Sequence, residues 1–332
     1  MSESIDPSVS VEPSYSKGSQ IETGLALARV LSDARDARRK EAMLSRAGPL
    51  NRPQVQAAQR ALQNLLASYL TRTGFEVEKY DAICEQLQAE QRVFLEEQKA
   101  EAVKDSARVN ESLRRSVDRI YQAFNQLLEP PKELLDTPIL IWQTQGIHFP
   151  DTQVEPGSSR AKFVLNPGSD SVGDEELSFY FLWQNPSDRF VVVNVDSSLV
   201  LNGVCMARTG GGLFLLGIPF EVSFLRLGAN LFLYEPPFTA PLEPAAADKR
   251  LVENFIAVTR GWPVAIGGID SNHVRTIAQL HVGPFPVAPH AFTMFEVTVS
   301  MEFVTSDGEV TVDFDKGDFQ VMCPGVVITI LS

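Results

Sequence analysis

The sequence predicts a segregated α+β chain, an N-terminal helical bundle or coiled-coil stalk followed by a C-terminal antiparallel β-sandwich of jelly-roll type. Three observations carry this expectation. From Phe75 to Glu129 there is neither glycine nor proline, so nothing in that span interrupts a helix. Pro130 and Pro131 then remove backbone donors and disfavour helix in the residue before them. Beyond them the apolar period changes from about 3.6 residues to about 2, the spacing of a strand with one buried face.

Taken in order, residues 1–22 are rich in Ser, Pro and acidic groups and read as a disordered tail. A helical domain follows over 23–130. Its first helix spans Thr23 to about Ser45, where Arg35, Arg38, Arg39 and Lys40 interleave with Asp33, Asp36 and Glu41 as a solvated face. A second helix carries Val55, Ala58, Leu62, Leu65, Leu66 and Tyr69 on one side and ends at Thr71 to Gly74. The long helix covers about 75–128, a rod of roughly 75 Å at about 1.5 Å per residue.

Tyr80, Leu87 and Phe94, with Cys84, form one heptad-like track of that rod. Val109, Leu113, Val117, Ile120, Phe124 and Leu127 form a second. Such a stripe calls for helical partners, so these residues are the expected oligomerisation surface of a homo-oligomer, with a trimer favoured. The alternative is a bundle closed within one chain by the helix at 53–72. Between the two tracks, "EEQKAEAVKDSAR" is polar nearly all round and reads as solvent-crossing or as a polar turn.

Residues 131–138 form a Pro-rich linker, and the sandwich occupies 139–332. Phe295, Val297, Val299, Met301 and Phe303 alternate with Glu296, Thr298, Ser300 and Glu302, which predicts a strand with one wet face. Val310, Val312 and Phe314, then Phe319, Val321 and Cys323, predict a hairpin with its tip at Asp315 to Asp318. Further turns are expected at Asn185 to Asp188 and at Asn202-Gly203. A long loop over Tyr234 to Asn254 is expected to carry a helical turn around Ala245 to Leu251.

Composition narrows function more than it defines it. The 332 residues are 44% apolar and 21% charged, with a net charge of -13, most of it beyond residue 140. That balance excludes wholesale electrostatic attraction to nucleic acid. The N-terminus has neither the basic nor the apolar region of a signal peptide, so synthesis in the cytoplasm is expected, with any later release or assembly into a particle by another route. No apolar run reaches the ~20 residues of a spanning helix, so membrane contact would be superficial. Cys84, Cys205 and Cys323 have no zinc-type spacing and read as buried thiols. No cofactor is implied.

Candidate contacts are few. "RTGGGLFLLGIPF" has a G-x-x-x-x-G spacing from Gly212 to Gly217, but Ile218 and Pro219 stand where a phosphate loop has Lys and Ser or Thr. The segment reads as a turn into a buried strand, with Leu213, Phe214, Leu215 and Leu216 as a contact surface for ligand or membrane if exposed. His273, Arg275, Gln279 and His281 fall in phase on one strand and share a polar face; the histidines lie ~26 Å apart, too far for one ion. Asp313, Asp315 and Asp318 form a weak calcium candidate beside Gly317, with hairpin-tip chemistry as the simpler reading. No metal ligand set is otherwise visible, and no nucleophile elbow or catalytic motif occurs. The expected function is therefore a non-enzymatic assembly or attachment protein, with a rod for oligomerisation and a sandwich for a glycan or protein ligand. A pore-forming or insecticidal-type toxin is the alternative, and an enzyme with a sandwich catalytic domain the third reading.

Overall fold

The computed structural model describes residues 71–74, 77–126, 130–144, 148–168, 171–209, 212–213, 222–234, 247–258, 264–265, 269–306 and 308–331, with isolated positions between 22 and 69. The expected tail, most of the two first helices, and Phe214 to Leu216 lie outside the described residues. Among those described, a single helix is defined along its length, α1 (Val77–Gln126). The strands after it are β1 (Lys132–Leu135), β2 (Leu140–Gln143), β3 (His148–Gln153), β4 (Ser159–Leu165), β5 (Val172–Gln184), β6 (Val191–Thr209), β7 (Gly212–Leu213), β8 (Val222–Tyr234), β9 (Ala247–Val258), β10 (Val264–Ala265), β11 (Ile269–Val287), β12 (Phe292–Ser306), β13 (Gly308–Asp313), β14 (Gln320–Cys323) and β15 (Val326–Ile330).

Among the described residues the strand pairings are antiparallel, and they build two large sheets and one two-stranded one. β6 is the spine of the eight-stranded sheet: β11 runs along one edge of it, while β13, β14 and β15 pair in succession along the other. β4 joins β13, β14 and β3, and β1 closes onto β15. The second sheet has five strands in the order β2-β5-β12-β8-β9. The short β7 pairs with β10.

Alternation decides which side chains lie between the sheets. Phe179 and Phe181 of β5, Phe295, Val297 and Val299 of β12 and Leu225 to Leu231 at odd positions of β8 face Val193, Leu199, Leu201 and Cys205 of β6 across one dry core. Each fully buried Phe or Leu contributes roughly 1.5–3 kcal/mol relative to an exposed one. The burial predicted from Val310 to Cys323 is present, with Val310, Val312, Phe314, Phe319, Val321 and Cys323 all buried, but the expected hairpin is not: among the described residues β13 and β14 each pair with β6 and β4 and not with one another.

Several expectations are corrected. An N-terminal bundle or coiled coil is not what the described residues form: their one helix packs on the sandwich. The segment expected as a linker contains β1, paired residue by residue with β15, because its KELL run completes a sheet edge. The helical turn expected near Ala245 to Leu251 is replaced by β9 from Ala247. The turn at Asn185 is present, its Oδ1 accepting the Ser187 amide at 3.0 Å. Asn202-Gly203, by contrast, does not turn; β6 runs through it for 19 residues. A Cβ on Gly203 would stand 2.4 Å from Phe314 Cδ1, so glycine is there to admit an aromatic ring.

The face of β12 expected to be wet is also partly dry. Glu296 is fully buried, Ser178 and Thr298 hydroxyls donate to its Oε1 at 2.7 and 3.0 Å, and Tyr234 donates to Oε2 at 2.7 Å. Three hydroxyl donors offset the desolvation of a carboxyl group that alternation alone would leave in water.

Candidate functional site

α1 crosses the outer face of the eight-stranded sheet, touching β6 and β11. The contact has an apolar end and a polar end. At the apolar end Val117, only 2% exposed, packs with Val200 and Met322, and Leu113, Tyr121 and Ile277 surround them. Tyr121 Oη donates to the Gly325 carbonyl at 3.1 Å; burial, followed by Cys323 and Asp196, raises its pKa well above the usual phenol range. Val117 and Leu113 were expected to meet partner helices; the sheet takes that role because its outer face offers a matching apolar patch. Val109 and Ile120 of the same track are half-buried, while Phe94 is 58% exposed beside Val93 at 60%. The side chains of Tyr80, Leu87 and Phe124, and all of Leu127, lie outside the described residues.

The polar end is the segment expected to cross solvent, which instead docks through hydrogen bonds. Asn202 Nδ2 donates to the Ser106 carbonyl at 3.0 Å and to Asn110 Oδ1 at 2.9 Å. Asp318 N–H donates to Ser106 Oγ at 3.2 Å, and Asn110 Nδ2 donates to the Asp318 carbonyl. Lys99 Nζ lies 2.6 Å from Asp313 Oδ2, whose Oδ1 accepts the Asp315 and Lys316 amides, each at 3.0 Å. Burial pushes the Asp313 carboxyl up, but the Lys99 hydrogen bond and the two amides outweigh it, so its pKa is lowered overall. The expected calcium ligand is thus an anchor for α1. Asp315 is half-buried, Asp318 is exposed, and no group of three His, Cys, Asp or Glu side chains suited to an ion occurs among the described residues.

Between Leu95 to Asp105 of α1 and the sheet lies a cleft of ≈ 520 Å³, within the range of small-molecule sites. β11 brings His273 and Arg275 into it, and the adjoining strands add Met206, Glu309 and Asp313. His273 is held in one tautomer. Arg275 Nε donates to its Nδ1 at 2.7 Å, leaving Nε2 to donate to Asn202 Oδ1 at 3.2 Å. Phe319 meets the ring edge-on at 5.7 Å. Burial, then the Arg275 guanidinium, lower the imidazole pKa to about 4 against an opposing pull from Asp105, so the ring is neutral at pH 7. With Glu96, Glu101, Asp105, Glu309 and Asp313 against Lys99 and Arg275, the lining carries five negative and two positive groups, -3 in all.

The remaining predicted contacts are scattered. Gln279 and His281 are exposed farther along β11, and His281 Nδ1 lies 2.8 Å from Asp196 Oδ1. Leu213 is in β7, paired with Val264. Burial pushes the Cys205 and Cys323 thiols up to about 12, far from nucleophilic. No described helix is long and apolar enough to cross a membrane. Lys99, Asp105, Asn202 and Glu309 were missed by sequence reasoning; only Asn202 left a signal, and it was read as a turn.

No protein-family model and no curated protein matches the chain. Among solved structures, a carbohydrate-binding module of specific mannan recognition aligns over 58% of this chain and 97% of its own at 11% identity and a TM-score of 0.23. A module in complex with β-1,4-galactotriose aligns over 58% and 88% at 12% identity and 0.15. A Clostridium stercorarium module in complex with cellobiose gives 58%, 92%, 7% and 0.17. At such scores the ligands of those modules say nothing about this chain, and the sandwich architecture stands on its own strand pairing.

Proposed function

We propose that this chain is a non-enzymatic binding protein of a homo-oligomeric assembly, whose helix-roofed cleft takes a neutral saccharide or a comparably hydroxylated ligand. The observation that carries the reading is the cleft at Leu95 to Asp105, where Arg275 and His273 are locked in place by hydrogen bonds before any ligand arrives. Asp105, paired through Oδ2 with Arg108 at 2.7 Å, and Glu309, paired through Oε2 with Arg208 at 2.6 Å, each keep a second oxygen to accept from hydroxyls, Arg275 donates to them, and Met206, Leu95 and Ala102 supply apolar contact. The net negative lining disfavours an anionic ligand there. A binding role rather than catalysis is supported by how the reactive groups are committed: the His273 lone pair is taken by Arg275, and Asp313 by Lys99 and two amides. Self-association is supported by Val93 and Phe94, apolar and exposed on α1 ahead of its docked part.

The test is calorimetric titration of the full chain with neutral oligosaccharides, alongside molar mass by light scattering. Arg275→Ala is expected to weaken binding at least tenfold while leaving the mass unchanged. No binding by the wild-type chain, or equal binding by Arg275→Ala, would overturn the assignment of this cleft; a monomer at micromolar concentration would overturn the assembly.

A further inference from the structure

α1 borders a second cleft, of ≈ 440 Å³, whose lining sets three cations, Arg114, Arg160 and Lys162, against three carboxylates, Glu111, Glu155 and Asp318. Arg114 comes from the helix, and Arg160 and Lys162 alternate along β4, which puts them on the same face. Arg160 Nε donates to Gln153 Oε1 at 2.7 Å, and its Nη2 donates to the same oxygen. Lys162 Nζ donates to the Gly317 carbonyl at 2.6 Å and the Asp315 carbonyl at 3.4 Å. Every one of those acceptors is neutral. The two side chains are therefore held in place with their charges intact, and both are half-buried, where salt screens them less.

Of the three carboxylates in the lining, Glu111 is neutralised by Arg115 from outside the cleft, while Glu155 and Asp318 keep their charge. Glu111 Oε1 accepts from Arg115 Nε at 2.9 Å. Glu155 accepts from Ser158 Oγ at 3.1 Å and from Gln153 Nε2. Asp318 is exposed at the rim, with its backbone engaged by α1.

We propose that this second cleft binds the oxyacid group, carboxylate or sulfate, of an acidic saccharide. Arg160 and Lys162 are its fixed donors and Arg114 its third cation, in a chain that is otherwise strongly acidic. Planar guanidinium groups match the paired oxygens of such anions, and Ser158 and Gln320 in the walls suit sugar hydroxyls. The volume accommodates a mono- or disaccharide rather than a bare ion.

The full chain is titrated at low salt with a sulfated disaccharide, an unsulfated glucuronate-containing disaccharide, a neutral disaccharide and inorganic sulfate. At least one acidic disaccharide is expected to bind tenfold or more tighter than the neutral one and than sulfate, and which one does so identifies the oxyacid. Arg160→Gln and Arg114→Gln should each weaken it at least tenfold without moving Tm, and Asp318→Asn should tighten it a few fold. Arg108→Gln, the same charge loss at a helix position paired with Asp105, should stay within twofold. Equal binding of neutral and acidic sugars, equal loss in Arg108→Gln and Arg160→Gln, or sulfate binding as tightly as the disaccharides would overturn the proposal. Every titration is repeated in Arg275→Ala, which removes neutral-sugar binding at the first cleft, and the comparison of neutral with acidic sugars is read in that variant, so the two clefts succeed or fail separately.

Discussion

The interior of the sandwich and the seam between α1 and the sandwich are held by different physics. Inside, Phe179, Phe181, Phe295 and Val297 interdigitate with β6 and lose all contact with water. At the seam one small apolar contact around Val117 is extended by an ion pair and by hydrogen bonds through Asn202, Ser106 and Asn110. Dispersion and apolar burial are non-directional and sum over many atoms, whereas each hydrogen bond nets only about 0.5–1.5 kcal/mol. The consequence is a rigid sandwich with a helix attached at few points, and both clefts open along that attachment.

Substitutions should separate the two regions by size of effect. Phe295→Ala, a cavity in the dry core, is expected to cost about 3–5 kcal/mol, read by urea denaturation of the whole chain. Lys99→Met strands the buried Asp313 carboxylate and should cost about 1–3 kcal/mol; a value equal to that of Phe295→Ala would erase the distinction. Gly317 has φ +65°, and a Cβ there would lie 2.8 Å from Val103 Cγ1, so Gly317→Ala should cost about 1–2 kcal/mol. Its loss should register at the seam, as faster amide exchange in α1 near Val103 with the core strands unchanged.

Acid should also act on the seam first. The folded pKa of His273, about 4, lies below its ordinary 6.5, so the unfolded chain takes up the proton earlier. The stability contribution is complete above about pH 6.5 and is lost as pH falls toward 4. Asp313, lowered from 3.8, adds a further loss only below that value. The measurable outcome is a Tm that falls modestly between pH 6.5 and 4 and falls less in His273→Gln. Smallest in stability is Phe94→Ser, within about 0.5 kcal/mol for an exposed site, yet it should lower the molar mass if the exposed part of α1 joins copies of the chain.

Much of the fold was legible because a repeat of two needs only a polar-apolar pattern. The buried side of β13 and β14 and the inward side of β12 follow from that repeat alone; that β13 and β14 both run along β6 instead of folding into a hairpin does not. The long helix followed from an absence, the span without glycine or proline. What did not follow were the places where polarity was satisfied inside the protein: Glu296, read as wet, finds three hydroxyl donors from β5, β8 and β12, and Asn202, read as a turn, spends its amide on α1. The clefts were hidden for the same reason. His273 and Arg275 could be placed on one strand face, but Lys99 and Asp105 join His273 from a helix 168 or more residues earlier in the chain, and Glu309 from β13, 36 residues later, only after the helix has docked.

The sequence by itself determined the long helix and the apolar side of strands such as β12 and β13, since periodicity and backbone stereochemistry act within a few residues. Only the tertiary structure decided what the helix packs against. Val117 and Leu113 would bury as well against a partner helix as against Val200, Met322 and Ile277, because apolar burial has no direction; the hydrogen bonds from Asn202 and the Lys99–Asp313 pair do have one, and they select the sheet.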